Sequence, residues 1–416
     1  SAASDVYKRQ GYLAKSSGTV NNAISSSSFQ NNGLIALSAG TLQLSGASSN
    51  SAGAFEVASG GAFQVSSGTH ALTVSSSVTG GGNVTVSGGT ANFAGTYVVD
   101  GTTTVSAGTV NFATASTKGL TFASGTVTAT GPLSVAGAFN WSGGTIDSPT
   151  ALSTSGTTNV TSGVTLKDST WSNTGAIIIS TSGNITLGGN SATLTNTASG
   201  VITDTSSASF PITYANTSNS KTFNNVGTFN KNSGSNATQS IDVAVNNSGS
   251  MNVNTGTLRL IGGGSQIGSF AIASGATLES AGSGTNTLDR TSFTGAGTFL
   301  VSAGTVNIIN NLTQAASGDA KWQITGGTVS GPGVLTLNGP FDWSGGTVSL
   351  ANGLVTSGNM NITSGVTLSD ATWSNTGAIS LSGSGAITLG GSNTTFTNSS
   401  PGTITDTSSA GFPVTY

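Results

Sequence analysis

The chain contains a long tandem duplication, and this feature most constrains how it can fold. Three pairs of segments match at an offset of 202 residues: FNWSGGT at 139–145 with FDWSGGT at 341–347, TWSNTGAI at 170–177 with the same letters at 372–379, and ITDTSSASFPITY at 202–214 with ITDTSSAGFPVTY at 404–416. Any fold of this chain must therefore accommodate two similar halves.

The offset changes upstream. AGTLQL at 39–44 matches TGTLRL at 255–260 at an offset of 216, whereas SAGTVNF at 106–112 matches SAGTVNI at 302–308 at an offset of 196. The first copy thus carries an extra unit of 19 residues, at 94–112. A solenoid accepts a whole added turn because each turn contacts only its neighbours.

Glycines mark the same repeat length. They recur every 17 to 20 residues in both copies, at Gly89, Gly108, Gly125, Gly144, Gly163, Gly183 and Gly200, and again at Gly327, Gly346, Gly365, Gly385 and Gly402. Between them apolar residues alternate with polar ones, as in V-N-F at 110–112 and L-S-V at 133–135. This period of two predicts short strands buried on one face, joined by turns in which glycine supplies positive φ.

These patterns predict an all-β fold, a right-handed parallel β-helix with rungs of about 19–20 residues and two or three short strands per rung. We expect about 20 rungs in all. We interpret residues 1–10 as a non-native leader, 11–214 as the first superrepeat copy and 215–416 as the second. Together the copies would form one continuous solenoid, a fragment of a longer chain.

Low charge excludes several function classes. Only 10 Lys or Arg and 13 Asp or Glu occur in 416 residues, and the net charge is −3. Nucleic-acid binding is therefore not expected, because it depends on neutralising phosphates with basic side chains. The chain has no cysteine, which excludes disulfides and thiolate metal sites. It also has no apolar run of 18 or more residues, so no membrane span is expected.

Several motifs resemble the repeats of large bacterial surface-exposed or secreted β-helix proteins, related loosely to autotransporter passenger domains and filamentous-haemagglutinin-type adhesins. The motifs are WSGGT, TWSNTGAI, NNVGTFNKNSG at 224–234, NSGSMNVNTGTLRL at 247–260 and ASGATL at 273–278. The resemblance covers residues 11–416 and concerns structural repeats, not a catalytic fingerprint. It implies export, a right-handed parallel β-helix, and a role as stalk, adhesin or matrix component.

Parallel β-helices also include polysaccharide-degrading enzymes, so the acids are candidate catalytic residues. Glycoside hydrolysis needs two carboxylates about 5–5.5 Å or about 6.5–9.5 Å apart. The best candidate pair is Asp147 and Asp168, one rung apart, but Ser349 replaces Asp147 in the second copy. Asp168 matches Asp370 and Asp204 matches Asp406; we interpret these as turn residues that make Asx hydrogen bonds.

Other chemistry has little support in the sequence. His70 is the only histidine, and its setting predicts a solvated or locally hydrogen-bonded side chain. The glycine runs at 80–82 and 262–264 lack the aspartate of calcium-binding repeats, and no phosphate-binding loop occurs. No catalytic, cofactor-binding or metal-binding residue is predicted.

The tryptophans could stack on sugars if they were exposed. In F-N-W at 139–141 and F-D-W at 341–343, Phe and Trp share one face, which favours core packing for Trp141, Trp171, Trp322, Trp343 and Trp373. Rows of threonine could indicate ice binding, but Thr102–Thr104 and Thr157–Thr158 are local.

The sequence thus predicts a non-enzymatic extracellular stalk or adhesin segment of a large bacterial cell-surface or secreted protein. Its partners would be carbohydrate or host and cell-surface receptors, and open solenoid ends would allow self-association. The alternative is a polysaccharide-degrading β-helix enzyme, a lyase or a glycosidase.

Overall fold

A computed structural model describes residues 6–9, 11–216, 221–232 and 238–416, with the backbone alone for 6–9. The described residues form a parallel β-solenoid of about 18 turns and contain no helix. The all-β solenoid prediction is confirmed, while the right-handed winding stays a prediction.

The strands are short, and most have three to five residues. The first half of the chain contains β1 (Val6–Arg9), β2 (Tyr12–Lys15), β3 (Asn21–Ile24), β4 (Ser28–Asn31), β5 (Leu34–Leu37), β6 (Gly40–Leu44), β7 (Ser48–Ser51), β8 (Ala54–Val57), β9 (Gly61–Val65), β10 (Thr69–Leu72), β11 (Ser77–Gly80), β12 (Asn83–Val86), β13 (Thr90–Phe93), β14 (Thr96–Val105), β15 (Thr109–Phe112), β16 (Ala115–Phe122), β17 (Thr126–Ala129), β18 (Leu133–Val135), β19 (Phe139–Trp141), β20 (Thr145–Asp147), β21 (Leu152–Thr154), β22 (Thr157–Val160), β23 (Gly163–Lys167), β24 (Thr170–Asn173), β25 (Ala176–Ile179), β26 (Asn184–Gly188), β27 (Ala192–Asn196), β28 (Val201–Asp204) and β29 (Ile212–Tyr214).

The second half contains β30 (Lys221–Asn225), β31 (Thr228–Lys231), β32 (Thr238–Ile241), β33 (Ala244–Asn247), β34 (Ser250–Val253), β35 (Thr257–Leu260), β36 (Gly264–Gln266), β37 (Ser269–Ile272), β38 (Thr277–Ser280), β39 (Thr285–Leu288), β40 (Ser292–Thr294), β41 (Thr298–Val301), β42 (Thr305–Ile308), β43 (Leu312–Gln314), β44 (Lys321–Ile324), β45 (Thr328–Gly331), β46 (Leu335–Leu337), β47 (Phe341–Trp343), β48 (Thr347–Leu350), β49 (Leu354–Thr356), β50 (Met360–Ile362), β51 (Gly365–Ser369), β52 (Thr372–Asn375), β53 (Ala378–Leu381), β54 (Ala386–Gly390), β55 (Thr395–Asn398), β56 (Thr403–Asp406) and β57 (Val414–Thr415).

The chain divides into two compact units. Unit 1 comprises Ser1–Ile202 and Tyr214–Lys221, and unit 2 comprises Thr203–Thr213 and Thr222–Tyr416. In unit 1 most turns contribute three strands to three parallel stacks, for example β17, β18 and β19 followed by β20, β21 and β22. The long strands β14 and β16 each cover two stacks. Unit 2 repeats this arrangement, for example with β44, β45 and β46 followed by β47, β48 and β49.

Strand pairing among the described residues is parallel from turn to turn, except for one isolated antiparallel bridge between Thr294 and Asp319. Many turns have the expected length, since Thr90 pairs with Thr109 and Thr328 with Thr347. Others are longer, since Thr298 pairs with Lys321 and Ala378 with Thr403. The longer turns explain why the count is about 18 rather than the expected 20.

The predicted leader lies partly outside the described residues. Within it, Val6–Arg9 forms β1, which pairs in parallel with β4. This segment therefore continues the strand stack, and its non-native origin stays a prediction.

Alternation along each strand places the core inside the coil. In β15, Val110 and Phe112 are buried while Thr109 and Asn111 face outward. Buried side chains then stack in rows, because register partners of adjacent turns share a face: the Phe93 and Phe112 rings lie 5.4 Å apart and nearly parallel. Such rows remove apolar surface from water without any helix to cover the sheets.

Glycine supplies positive φ at only part of the predicted series. Gly89, Gly108, Gly125 and Gly144 have φ between +70° and +98°, and Gly327 and Gly346 have φ of +69° and +77°. The prediction is wrong for Gly163, Gly183, Gly200, Gly365, Gly385 and Gly402, none of which has positive φ. Near Gly163 and Gly365 the left-handed conformation is instead adopted by Asp168 and Asp370, with φ of 48° and 47°.

Candidate functional site

The two acids of the predicted catalytic pair, Asp147 and Asp168, meet at one lysine. Lys167 Nζ lies 2.6 Å from Asp147 Oδ2 and 3.9 Å from Asp168 Oδ2. Asp147 and Lys167 are register partners on β20 and β23. A hydrogen bond from Lys167 to Asp147, together with the charge of Asp147, raises the pKa of the lysine. The cluster is an ion-paired surface patch of unit 1.

Asp168 also binds the backbone of the next turn. Its Oδ1 accepts hydrogen bonds from the N–H groups of Ser191 at 3.1 Å and Asn190 at 2.5 Å, and these bonds lower the pKa of the carboxyl. Its counterpart Asp370 accepts from Ser392 N at 2.8 Å. A glycosidase general acid requires a raised pKa. The lowered pKa of Asp168 does not fit that role. The Asx interpretation is wrong at these two positions, because the bonds span a whole turn.

Asp204 and Asp406 do make the predicted local bonds. Asp204 Oδ1 accepts from Ser206 N at 2.9 Å, and Asp406 Oδ1 accepts from Ser408 N at 2.9 Å. The Asx interpretation is confirmed for both. They differ in burial, because Asp204 has no exposed surface whereas Asp406 is exposed.

Among the described residues of unit 2, Asp204 is the one acid that is fully buried. Desolvation raises its pKa, while the hydrogen bonds from Ser206 and the charge of Lys231 act in the opposite direction. Lys231 is also fully buried, and desolvation lowers its pKa. The ammonium group of Lys231 donates to the Thr255 carbonyl at 2.8 Å. The burial of these two charged residues was not predicted from the sequence.

His70 lies in the core of unit 1, where both ring nitrogens are hydrogen-bonded. Nε2 lies 2.8 Å from the Ser67 carbonyl oxygen and Nδ1 lies 2.9 Å from Ser49 Oγ. Since a carbonyl can only accept, Nε2 carries the proton and Nδ1 accepts from the Ser49 hydroxyl. Burial lowers the pKa of the ring. The predicted local hydrogen bonding is confirmed, and no acid contributes to either bond.

All five tryptophans are buried, with at most 1% of their surface exposed. The core interpretation is therefore confirmed, and a sugar-stacking platform is excluded at these positions. Trp141 and Trp343 each donate their indole N–H to the glycine carbonyl two residues later, at 3.0 and 2.9 Å. This contact explains the W-S-G part of the WSGGT motif.

The TWSN motif forms the same polar network in both copies, and its side chains are buried except for that of Asn398, which is exposed. In unit 1, Trp171 donates to Thr154 Oγ1 at 2.9 Å, and this hydroxyl donates to Asn173 Oδ1 at 3.1 Å. Asn173 Nδ2 then donates to Asn196 Oδ1 at 3.0 Å and to the Gly175 carbonyl at 2.9 Å. In unit 2 the same bonds join Trp373, Thr356, Asn375, Asn398 and Gly377. The motif therefore has a structural role.

Two open, shallow concavities lie on the described surface. One groove of about 220 Å³ is lined by small residues such as Ser134, Ser153 and Thr174, and another of about 250 Å³ by Thr19, Gly40 and Asn83. Neither contains an acid. In the described part of the chain, no group of three or more His, Asp or Glu could hold a metal ion.

Outward-facing amides and hydroxyls form ladders between adjacent turns, and these polar ladders are the candidate binding surface. Each joins equivalent side chains at a hydrogen-bond distance of 2.6–3.0 Å: Asn92 with Asn111, Asn140 with Asn159 and Ser134 with Ser153 in unit 1, and Asn224 with Asn246, Asn230 with Asn252 and Asn232 with Asn254 in unit 2. Asparagines that repeat at intervals of one turn are the sequence signal for these ladders, which were not among the predicted sites.

Comparison with protein-family models, curated proteins and solved structures gives no match. No helix among the described residues is long and apolar enough to cross a membrane.

Proposed function

We propose that the chain is a non-enzymatic extracellular segment of a bacterial cell-surface or secreted protein, acting as a stalk or adhesin. The observation that carries this proposal is the series of polar ladders on the outside of both units. They present the same neutral group at intervals of one strand spacing, about 4.8 Å. A regular, uncharged array of this kind suits many weak contacts with a repetitive ligand.

Carbohydrate is the ligand class that this surface fits best. Amide and hydroxyl groups donate to and accept from sugar hydroxyls, and they need no opposite charge on the partner. Individual contacts would be weak, but a polymer bound along several ladders gains affinity through effective concentration. The resemblance to bacterial adhesin repeats supports an extracellular location.

The hydrogen bonds and ion pairs of the acids support a non-enzymatic role. Asp147 is paired with Lys167, and Asp342 with Lys321. Asp168 and Asp370 accept backbone N–H groups of the following turn. Each of these carboxylates thus has a structural partner.

A polysaccharide-binding experiment tests the proposal. The full chain is passed over immobilised bacterial and host-surface polysaccharides, and we expect weak binding that increases with polymer length. Replacing Asn224, Asn246, Asn230 and Asn252 by alanine should weaken binding several-fold. The control is Asn352→Ala/Asn359→Ala, which removes exposed asparagines outside the ladders and should leave binding unchanged. Equal binding by both variants, or no binding by the wild type, would contradict the proposal.

The rival function, polysaccharide cleavage, is tested with the same polymers. We expect no new reducing ends and no unsaturated products after long incubation. Cleavage that is lost in Asp147→Asn or Asp168→Asn would establish the enzyme instead. Location is tested separately. A protease added outside intact source cells should cleave the chain while the cells remain unlysed.

A further inference from the structure

Unit 2 contains a row of threonines that no local motif reveals. Strand pairing places a threonine at the same outward position of six successive turns, and each is the register partner of the next: Thr285, Thr305, Thr328, Thr347, Thr367 and Thr388. All six are at least partly exposed. Because successive members are a whole turn apart in the sequence, short T-x-T motifs do not show the row.

A second row lies beside the first, two residues further along each strand. It consists of short uncharged side chains and one glycine: Thr287, Asn307, Ser330, Ser349, Ser369 and Gly390. Adjacent strands are about 4.8 Å apart and a strand rises about 3.3 Å per residue, so the two rows form a grid of about 4.8 by 6.6 Å. Over six turns this grid, which we call the threonine face, is about 24 Å long.

The threonine hydroxyls of this face are open to water. Among the described residues, none forms a hydrogen bond with the side chain of Thr305, Thr328 or Thr347. The polar ladders differ in this respect, because their amides already bond to one another, as those of Asn224 and Asn246 do. The threonine face therefore keeps its hydrogen-bonding capacity for a ligand.

Two features keep the threonine face unobstructed and ordered. In three successive turns a glycine with positive φ directly precedes the threonine, so no side chain rises beside the row there: Gly304, Gly327 and Gly346. Threonine is β-branched and has few χ1 rotamers, so its methyl and hydroxyl groups are held in place. An array that is already ordered loses little entropy when it binds an equally regular surface.

The corresponding face of unit 1 is interrupted by charge. There the row beside the threonines contains Asp147 and Lys167, whose charged groups lie 2.6 Å apart. At the offset of 202 their counterparts in unit 2 are Ser349 and Ser369. An ammonium group holds its hydration water strongly. In unit 2 the row beside the threonines is uncharged over all six turns.

We propose that the threonine face of unit 2 binds ice. The surface of an ice crystal presents oxygen atoms that repeat in two directions at distances similar to those of the grid. Threonine hydroxyls donate to and accept from lattice water, and burial of the threonine methyl groups against the crystal removes apolar surface from liquid water. The neutral face requires no charge on its ligand.

Flat sugar rings fit this face less well. Such rings stack on aromatic side chains, whereas all five tryptophans are buried in the core. The inference therefore goes beyond the proposed function, because its ligand is crystalline water, bound at strands other than those of the asparagine ladders in unit 2.

Thermal hysteresis and inhibition of ice recrystallisation test the proposal. The full wild-type chain should separate the freezing point from the melting point of ice and should slow the growth of large crystals from small ones. Ser349→Asp/Ser369→Lys places the ion pair of unit 1 within the threonine face. It should lower thermal hysteresis at least about fivefold, because strongly hydrated charges interrupt the array. The variant should fold, since the same pair occupies the equivalent turns of unit 1.

A second variant tests the threonines themselves. Thr328→Lys/Thr347→Lys should lower thermal hysteresis to a similar extent, because two long charged side chains would hold the face away from the crystal. The matched control makes the same changes at the offset of 202, Thr126→Lys/Thr145→Lys, and should keep the wild-type value. Circular dichroism checks that every variant is folded.

The wild type and the controls decide between the outcomes. A wild type without thermal hysteresis, or equal losses in the variants of unit 1 and unit 2, would overturn the proposal. Polysaccharide binding is measured on the same samples and should be unchanged in Ser349→Asp/Ser369→Lys, because the substituted asparagines of the binding experiment lie on other strands. Failure of ice binding is thereby distinguished from failure of the proposed function.

Discussion

At the scale of single residues, asparagine has two distinct roles in this protein. Asn173 and Asn375 lie in the core, where each accepts from a threonine hydroxyl and donates to a carbonyl. Asn140 and Asn159 lie on the surface and bond only to each other. Because these core asparagines are fully buried, bulk water cannot reach them to replace a lost partner, so they should matter far more for stability.

This difference can be measured by substitution. Asn173→Ala and Asn375→Ala should each lower the free energy of unfolding by about 3 kcal/mol, because each leaves a buried threonine O–H without its acceptor and removes two hydrogen bonds donated by the amide. Asn140→Ala should change it by less than about 0.5 kcal/mol. Urea denaturation followed by circular dichroism provides the comparison, and equal effects at core and surface would refute it.

His70 makes stability depend on pH. Its pKa is lowered in the folded state by burial, so the folded protein binds fewer protons than the unfolded chain below a pH of about 6.5. Its contribution is complete above that pH and is lost as the pH falls towards the folded-state pKa. The slope cannot exceed about 1.4 kcal/mol per pH unit for one group.

The experiment compares the wild type with His70→Gln between pH 7.5 and pH 5. The wild type should lose more stability than the variant over this range, as measured by urea midpoints. Asp204 is common to both proteins, so its opposite pH dependence cancels in the difference. Parallel pH profiles would show that His70 does not titrate as inferred.

At the scale of elements, a column of glycines allows successive turns to approach closely. A Cβ atom on Gly108 would lie 2.4 Å from the Gly89 carbonyl oxygen, and one on Gly125 would lie 2.2 Å from that of Gly108. Both residues also have positive φ. Only glycine satisfies both requirements.

Gly108→Ala should therefore destabilise the protein by at least about 2 kcal/mol, from backbone strain and overlap with the turn below. Gly365→Ala is the matched control, because no atom lies within 4 Å of its added Cβ and its φ is not positive. That change should be neutral or stabilising by up to about 1 kcal/mol. Thermal unfolding of the two variants distinguishes these outcomes.

At the scale of the whole molecule, the turn is the unit in which the chain can gain or lose residues. Ala113 N donates to the Phe93 carbonyl at 2.9 Å, so the residues that flank segment 94–112 are already stacked one turn apart. Thr103 lies between Val84 and Leu120 in the same strand stack. Removing the segment would bring Val84 and Leu120 into register.

Deletion of 94–112 should leave a folded β-solenoid with a melting temperature within about 5 °C of the wild type, because each turn contacts only its neighbours. Deletion of 94–103 removes about half a turn and should cause misfolding or aggregation, since it moves buried side chains out of register. Circular dichroism and size-exclusion chromatography would contradict this interpretation if both deletions behaved alike.

Much of the fold could be predicted from local patterns. The period of two determined which face of β15 is buried, and the change of offset located an added turn, because both reflect contacts that repeat at every turn. The tryptophans were predicted to be buried from the same alternation. The buried Asp204 and Lys231 could not be found in this way, because their polar side chains lie at positions where the pattern predicts apolar residues.

Asp204 and Asp406 show which features local sequence patterns determine and which they do not. Both occur in the segment ITDTSS, and both make the same Asx hydrogen bond to the serine two residues later. The sequence alone determined that local conformation, because it depends only on residues that are adjacent in the chain. Only the tertiary structure decided that Asp204 is fully buried, because burial in a solenoid depends on the neighbouring turn, here the one that contains Lys231, whose residues are distant in sequence.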